Sequence, residues 1–429
     1  EGIFSQKPLF TDEENMKYEE ESIALFDLEN DGDLDMFLVS GSNEFNIDNI
    51  EYTDRLLLND GHGNFTISID RMPVINASGS IVKTTDFDKD GFADLFIGGR
   101  TPFSQYPKSE KSFLLRNKNG VLKDVTDSIA PELRNIGMIT DAIWADIDLD
   151  GYEDLVVTGE LMATTIFKNH SGSYKKVNLT GVENLLGWWE SIIKTDIDND
   201  GDIDFIVGNV GANNLYQPSD ERPVTIIAKD FDNNGTIDPV MFAYFKDSFL
   251  NPEYKSFPVN FWGDLNGQSP IFRAKYNTFK SYSKATIANL FNEDELKGST
   301  RLIGNYDKSI IMENLGNGSF KYIPLPTETQ VSPINGMVKL DYNNDQKEDI
   351  LLVGNNYGNE VFIGRYDAFN GGLLKNNGKG KYEFIPTSES GILVPGDAKS
   401  IITVNSAKSD YPYFIASQNR DSIRVFQKR

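Results

Sequence analysis

A nine-residue acidic pattern, D-x-D-x-D-G-x-x-D, stands in full or variant form before an apolar run at six places in this chain. "TTDFDKDGFADLFIGG" (84–99) is one of the full copies. Its relatives are "ALFDLENDGDLDMFLVSG" from Ala24, "AIWADIDLDGYEDLVVTG" from Ala142, "IIKTDIDNDGDIDFIVGN" from Ile192, "IIAKDFDNNGTIDPVMFA" from Ile226 and "MVKLDYNNDQKEDILLVGN" from Met337. The first Asp falls at 27, 86, 146, 196, 230 and 341, so the early intervals are 59, 60 and 50 residues. Regular self-similarity of this kind marks a propeller or a solenoid, in which each repeat buries its apolar face only against a neighbour.

Every copy reads alike. One apolar strand leads into the acidic loop, and a second strand of β-branched and aromatic residues follows. A variable loop then gives way to a hairpin with an Asn/Asp/Gly turn, as in "RLLLNDGHGNFTIS" (55–68) and "SFLLRNKNGVLKDVT" (112–126). Four antiparallel strands per repeat make a blade. The expected fold is all-β: one seven-bladed β-propeller domain over 1–429, with blades near 23–70, 81–126, 140–179, 190–223, 224–326, 334–386 and 397–429. The last blade lacks a fourth strand, and 2–10 ("GIFSQKPLF") has the look of one. Either the two ends complete a blade, the favoured reading, or an upstream blade has been cut away. The fifth blade carries a small helical insertion near 263–297, where Phe272, Tyr276, Phe279, Ile287 and Leu290 recur at helical spacing. That stripe reads first as an amphipathic helical pair packed on its blade.

Carboxylates at alternate positions converge when the chain turns tightly, and Gly at the sixth position supplies the positive φ. Oxygen-only donors in a flexible loop suit Ca²⁺ better than Zn²⁺ or Mg²⁺. The acid at position nine, in place of a Glu at twelve between helices, sets EF-hands aside. The expected ligand sets are Asp27/Glu29/Asp31/Asp35, Asp86/Asp88/Asp90/Asp94, Asp146/Asp148/Asp150/Asp154, Asp196/Asp198/Asp200/Asp204 and Asp230/Asp232/Asn234/Asp238. A sixth, Asp341/Asn343/Asp345/Asp349, has Gln346 where Gly belongs. About five calcium sites are thus expected, the sixth being weakened. The competing reading of a single loop is an Asx-turn without metal.

These loops resemble the FG-GAP/VCBS repeats of integrin α-subunit propellers and of many bacterial surface proteins, over essentially the whole chain. "VSGSNEF" (39–45), "GWWESI" (187–192), "KDFDNNGTIDPV" (229–240) and "YGNEVFIGRYDAFNGG" (357–372) are most similar to large Bacteroidota VCBS proteins that can carry an ASPIC-type domain, which this sequence lacks. The resemblance implies structural calcium loops at one end of a propeller, binding at the other, and outer-membrane association.

Strand order places the elaborated loops 41–54, 99–111, 246–305 and 354–372 on the face opposite the acidic loops, together with Arg100, Glu160, Trp188, Trp189, Asn213, Tyr357, Arg365 and Tyr366. Paired Trp can stack on sugars or anchor a protein, and Arg can grip carboxylates. Each has an ordinary alternative, a Trp wedged between blades or an Arg in a local ion pair. The net charge of −24 excludes nucleic acid and anionic membrane surfaces as natural partners. No Cys occurs, and the two His, His62 and His170, lie in hairpin turns on the acidic-loop face, so no His-based triad forms on the other. There is no apolar stretch of transmembrane length, and the start at Glu1 reads as a mature or trimmed chain. The expectation is a non-catalytic calcium-binding module for a protein or glycan at a Gram-negative cell surface, part of a larger surface protein or complex. The alternatives are a glycan-active enzyme using carboxylates such as Glu160, Glu190 or Glu360, or a structural subunit of an outer-membrane complex.

Overall fold

Continuous apolar runs mark strands buried on both faces. In the computed structural model, which describes residues 7–46, 49–406 and 409–428, Asp35–Ser40, Asp94–Gly99, Asp204–Asn209 and Asp349–Gly354 are almost wholly buried. The fold is all-β, with several four-stranded antiparallel sheets and few helices.

The chain divides into two compact units, one of Glu1–Trp144, Tyr152–Asp154 and Phe167–Lys176, the other of Ala145–Gly151, Leu155–Ile166 and Val177–Arg429. In the first unit, Glu20–Phe26, Asp35–Ser40, Arg55–Asn59 and Phe65–Ser68 pair antiparallel in chain order. Gly79–Thr85, Asp94–Gly99, Phe113–Asn117 and Leu122–Asp124 do the same. Phe26, Leu28, Phe37, Leu56, Leu95 and Leu115 form the core these two sheets share. The third repeat is divided between the units, and its hairpin pairs Phe167 with Lys176 in the first.

The second unit departs from the expected division. Gly187–Thr195 and Asp204–Asn209 are followed in their sheet not by the next residues but by Ile310–Asn314 and Phe320–Pro324, with Phe205 opposite Met312. The expected blades at 190–223 and 224–326 are therefore one sheet with another inserted between its second and third strands. The inserted sheet runs Tyr254–Pro258, Asp238–Lys246, Val224–Lys229, Thr300–Gly304 across its width. It folds locally because it has its own core: Ile227, Val240 and Phe242 pack on Leu265, Phe272, Leu290 and Phe291.

The helical segment of this insertion is five short helices, Trp262–Gln268, Pro270–Lys275, Phe279–Tyr282, Ile287–Leu290 and Glu293–Leu296, not one long pair. Capping boxes at Thr278, Thr286 and Asn292 restart the backbone and cut the periodic stripe into single turns. Phe272 and Leu290 are buried, and Tyr276 and Ile287 pack at the rim of that core. Phe279 stays exposed with its ring 4.5 Å from that of Trp262.

Beyond it, Ile334–Leu340, Asp349–Gly354, Gly372–Asn376 and Tyr382–Ile385 form a four-stranded sheet, and Ala398–Val404, Tyr413–Gln418 and Arg424–Gln427 a three-stranded one. Val338, Leu351, Val353, Ile401 and Phe414 pack these two together. Of the expected closing segment, residues 2–6 lie outside the described residues, and residues 7–10 form no strand. Among the described residues, no helix is long and apolar enough to cross a membrane.

The separate core of the insertion has a measurable consequence. Phe272→Ala, a large-to-small change at a buried site, should cost about 3–5 kcal/mol locally. Limited proteolysis should then cut within 262–297, while hydrogen exchange over Phe205–Asn209 and Ile310–Asn314 stays at the wild-type rate.

Candidate metal centres and ligand surface

The acidic loops at Asp27, Asp86, Asp196, Asp230 and Asp341 share one hydrogen-bond frame. The first Asp accepts from the N–H groups of positions five and six: Asp90 and Gly91 donate to Asp86 at 3.0 and 2.8 Å, and Asn234 and Gly235 to Asp230 at 3.0 and 2.9 Å. Asp146, by contrast, accepts from the Gly151 N–H at 2.8 Å with one oxygen and leaves the other without a partner. Two left-handed residues make the curl. Position four is Lys89 at φ 61° or Leu149 at φ 57°, and position six is Gly91 at φ 92°. In the sixth loop Gln346 takes the Gly position at φ 65°, a conformation that disfavours a side chain.

The ninth-position Asp closes the frame. Asp94 is fully buried; one oxygen accepts from the Phe87 N–H at 3.0 Å and the other from the Asn117 N–H at 2.7 Å. Asp35, Asp204 and Asp349 repeat this with Leu28 and Asn59, Ile197 and Asn314, and Tyr342 and Asn376. The partner at the end of the third strand is an Asn each time, and its side-chain oxygen caps the following turn, as with Gly120 N–H on Asn117 at 3.0 Å. The sequence reading did not single out these Asn residues, although "RLLLN", "FLLRN", "TIFKN", "IIMEN" and "GLLKN" carry the signal.

Among the described residues, four groups bring three carboxylates together with donor oxygens within 4.8 Å of one another: Asp86/Asp88/Asp90, Asp146/Asp148/Asp150, Asp196/Asp198/Asp204 and Asp230/Asp232/Asp238. These groups can hold a metal ion. Of the expected ligands in these loops, Asp94, Asp154 and Asp200 stand outside the three acids that meet. The fit is supported by buried carboxylate oxygens without a hydrogen-bond partner, on Asp88, Asp146, Asp232 and Asp238. Burying such an oxygen unpaired is costly unless a cation faces it. In the insertion, Asp238 also lacks the third-strand Asn, because the helix Trp262–Gln268 begins where that strand would continue.

The first and sixth loops form no such group among the described residues. In the first, the expected set Asp27/Glu29/Asp31/Asp35 is held apart by the chain's own partners. Glu29 turns away to pair with Arg71. Asp31 is exposed, and its carboxylate accepts from the Asp33 N–H at 3.2 Å. Asp27 accepts from the N–H groups of Asp31 and Gly32 at 3.1 and 2.9 Å, and both oxygens of Asp35 are taken by Leu28 and Asn59. With Glu29 drawn off by a guanidinium, Asp27, Asp31 and Asp35 do not close on one point. In the sixth loop, the Asn343 amide donates to Asp345 at 3.0 Å, Lys347 lies 3.4 Å from the same carboxylate, and Lys428 reaches Asn344 and the Asp341 carbonyl. The chain's own donors thus meet the acids and carbonyl of that loop.

Crowding perturbs the acids. Burial pushes Asp94 up to about 7, against two backbone donors and with repulsion from Asp88 and Asp90. Burial likewise raises Asp204 to about 6, and burial with Asp204 and Asp200 nearby raises Asp202 to about 7.

The expected ligand residues do not gather at one place. Trp189 is buried, its indole N–H donates to the Met162 carbonyl at 2.8 Å, and its ring stacks on Tyr306. It is a packing residue. Both Trp lie in the strand Gly187–Thr195, not in a loop. Half-buried Trp188 sits opposite Glu160 across the sheet and covers Gly304, where a Cβ would meet its ring at 2.4 Å. Arg100 reaches the Met138 carbonyl at 3.5 Å.

Asn213, Arg365 and Tyr366 do converge, lining a polar cavity of about 320 Å³ with Asn214 and Asp367. Beside it, Arg365 lies 4.7 Å over the ring of Tyr357, whose hydroxyl donates to the Pro395 carbonyl. The Tyr216 hydroxyl is buried without a partner, and burial, with Tyr366 and Glu360 nearby, raises its pKa. A larger cavity, about 680 Å³, lies in the first unit and is lined by Tyr52, Phe103, Lys108, Lys111 and Arg134. None of the eight expected ligand residues borders it, although the 99–111 elaboration does. His62 and His170 are exposed turn residues.

The family model described as "FG-GAP-like repeat" matches residues 22–97 and 146–207, so the chain carries FG-GAP-like repeats. No curated protein matches the chain. Among solved structures, it is similar to the V. cholerae biofilm matrix protein Bap1 at 10% identity and a TM-score of 0.36, covering 95% of this chain and 76% of that one. BBS1N in complex with ARL6DN, soaked with lead, gives 9% identity and a TM-score of 0.36, covering 96% and 93%. Scores this low carry nothing across about fold, ligand or partner.

The raised acids fix the sign of the pH dependence without metal. Unfolded Asp ionises near its usual 3.8, whereas folded Asp94 and Asp204 hold their protons to about 7 and about 6. The folded state therefore binds more protons between pH 4 and 7, and stability falls as pH rises through that window. The slope is about 1.4 kcal/mol per pH unit for each such group. Melting in chelator should be higher at pH 5 than at pH 7.5. Added calcium should stabilise strongly at pH 7.5 and weakly at pH 5, since only ionised carboxylates hold it.

Proposed function

We propose that this chain is a calcium-stabilised, non-catalytic β-propeller module that binds a protein or glycan at a bacterial cell surface. The observation that carries the metal half is the set of four three-carboxylate groups. Those at Asp86, Asp146 and Asp196 lie within the residues matched as FG-GAP-like repeat, and those at Asp86, Asp146 and Asp230 hold buried, unpartnered oxygens. Oxygen-only donors on a curled, flexible loop suit Ca²⁺ in preference to Zn²⁺ or Mg²⁺. In this reading the sheets are blades, and the cation locks each loop between its first two strands.

The ligand half rests on the Asn213–Arg365–Tyr366 cavity. A guanidinium stacked on an aromatic ring, two amides and a carboxylate are chemistry for a sugar or a polar protein loop. Cell-surface placement follows the resemblance to surface proteins and the charge of −24, which suits a calcium-rich exterior. Partners are sought accordingly among surface proteins and glycans.

Two outcomes test this. Metal analysis after dialysis against micromolar calcium should find about four calcium ions per chain, matching the four groups. Asp198→Asn should lose one, and Asp345→Ala should lose none; fewer than one ion in the wild type would overturn the metal reading. On glycan arrays and in surface-protein pull-downs, Arg365→Ala should weaken binding about tenfold or more, and Arg100→Ala should leave it unchanged. Polysaccharide turnover abolished by Glu160→Gln would overturn the non-catalytic reading.

A further inference from the structure

The acidic loops are physically joined from one repeat to the next. The second-position residues Leu28, Phe87, Ile197, Phe231 and Tyr342 give their N–H to the ninth-position Asp of their own loop. The carbonyls of Leu28, Phe87 and Ile147 meet an Asn of the following repeat. The Leu28 carbonyl accepts from Asn117 Nδ2 at 2.9 Å, while the Asn117 N–H donates to Asp94 at 2.7 Å. Asn169 repeats this, with Nδ2 on the Phe87 carbonyl at 2.9 Å and N–H on Asp154 at 2.8 Å. In the second unit, Asn314 Nδ2 reaches the Ile147 carbonyl at 3.5 Å and its N–H donates to Asp204 at 2.7 Å. All three are buried, and their side-chain oxygens cap Gly120, Gly172 and Gly316. With its donors and its side-chain oxygen committed, each Asn has little freedom to reorient, so a displaced partner displaces it.

The geometry of the loop makes this a route for coupling. Ile147 lies between Asp146 and Asp148, two carboxylates of one candidate group. A cation that draws those two together turns the peptide between them, and that peptide's carbonyl is the one Asn314 holds. Asn314 in turn fixes Asp204, a member of the next group, Asp196/Asp198/Asp204. We propose that Asn169 and Asn314 are positioning residues that couple the cation loops of successive repeats, so that the loops fill cooperatively; Asn117 makes the same bonds to a loop that forms no carboxylate group. This rests on the reading that the loops hold calcium. The series stops at Asn376: its N–H holds Asp349, but its Nδ2 has no partner, and the loop it serves is the one whose acids meet the chain's own donors.

Hydrogen exchange of the full chain, read by mass spectrometry across a calcium titration, reports each loop through its own peptides. Asp148→Asn changes no member of the group at Asp196. The coupling nevertheless predicts that it raises the calcium midpoint for protection of 196–204 by about 3- to 10-fold. Asn314→Ala should raise the same midpoint, and adding Asp148→Asn to it should move the midpoint no further. A 196–204 midpoint unchanged in Asp148→Asn would overturn the coupling and leave the calcium reading standing. Absence of calcium-dependent protection at every loop would overturn both. If Asn314→Ala does not fold, Asp148→Asn alone decides.

Discussion

The buried carboxylate at the ninth position of each acidic loop is the interaction on which the rest depends. Asp94 is fully buried yet heads a central strand, a place where a charged group survives only if every lone pair is answered. Its two backbone donors come from different parts of the repeat, Phe87 in the loop and Asn117 at the end of the third strand. One side chain thereby fixes the curl of the loop, the register of the second and third strands, and the start of the next turn. The same clasp recurs at Asp35, Asp204 and Asp349. It explains why the pattern repeats at a fixed spacing although the connecting loops vary.

Around that common frame the loops answer their negative charge in two ways. In the first and sixth, cationic or amide groups of the chain turn inward or compete for the acids: Arg71 takes Glu29, and Asn343 and Lys347 take Asp345. In the other four the carboxylates converge, and in the groups at Asp86, Asp146 and Asp230 they leave buried oxygens unanswered. Arg116 meets one oxygen of Asp88 at 2.8 Å, and the other remains without a partner. The carboxylates that could hold a cation therefore sit in particular loops, and the insertion carries one such group at Asp230.

Much of this was legible in the sequence, and the failures have physical causes. The spacing of Asp86, Asp88, Asp90 and Asp94 dictates a curl before a buried strand, and the structure has it. The same spacing at Asp27, Glu29, Asp31 and Asp35 gives the curl without the cluster. The sequence could not show that Glu29 is drawn off, leaving Asp31 at the surface, because Arg71 is 42 residues away. Nor did it show the insertion. The hairpin around Asp230 imitates a repeat, with the same loop and two apolar strands, and local patterning cannot say which strands pair later. The clue lay in "IIMEN" before a Gly turn, the ending shared by true third strands, which assigns Ile310–Asn314 to the sheet of Gly187–Thr195 and Asp204–Asn209. Trp188 and Trp189 sit side by side, yet strand alternation sends one into the core and leaves the other at its edge. The cavity of Asn213, Arg365 and Tyr366 unites segments some 150 residues apart, and only pairing brings them together.

The most direct measurement of the central claim is an anomalous difference map from crystals grown with calcium and collected where calcium scatters anomalously. The account predicts peaks within the groups at Asp86, Asp146, Asp196 and Asp230, and none in the loop at Asp341. Maps without peaks at all four loops, in crystals whose buffer holds millimolar calcium, would contradict it.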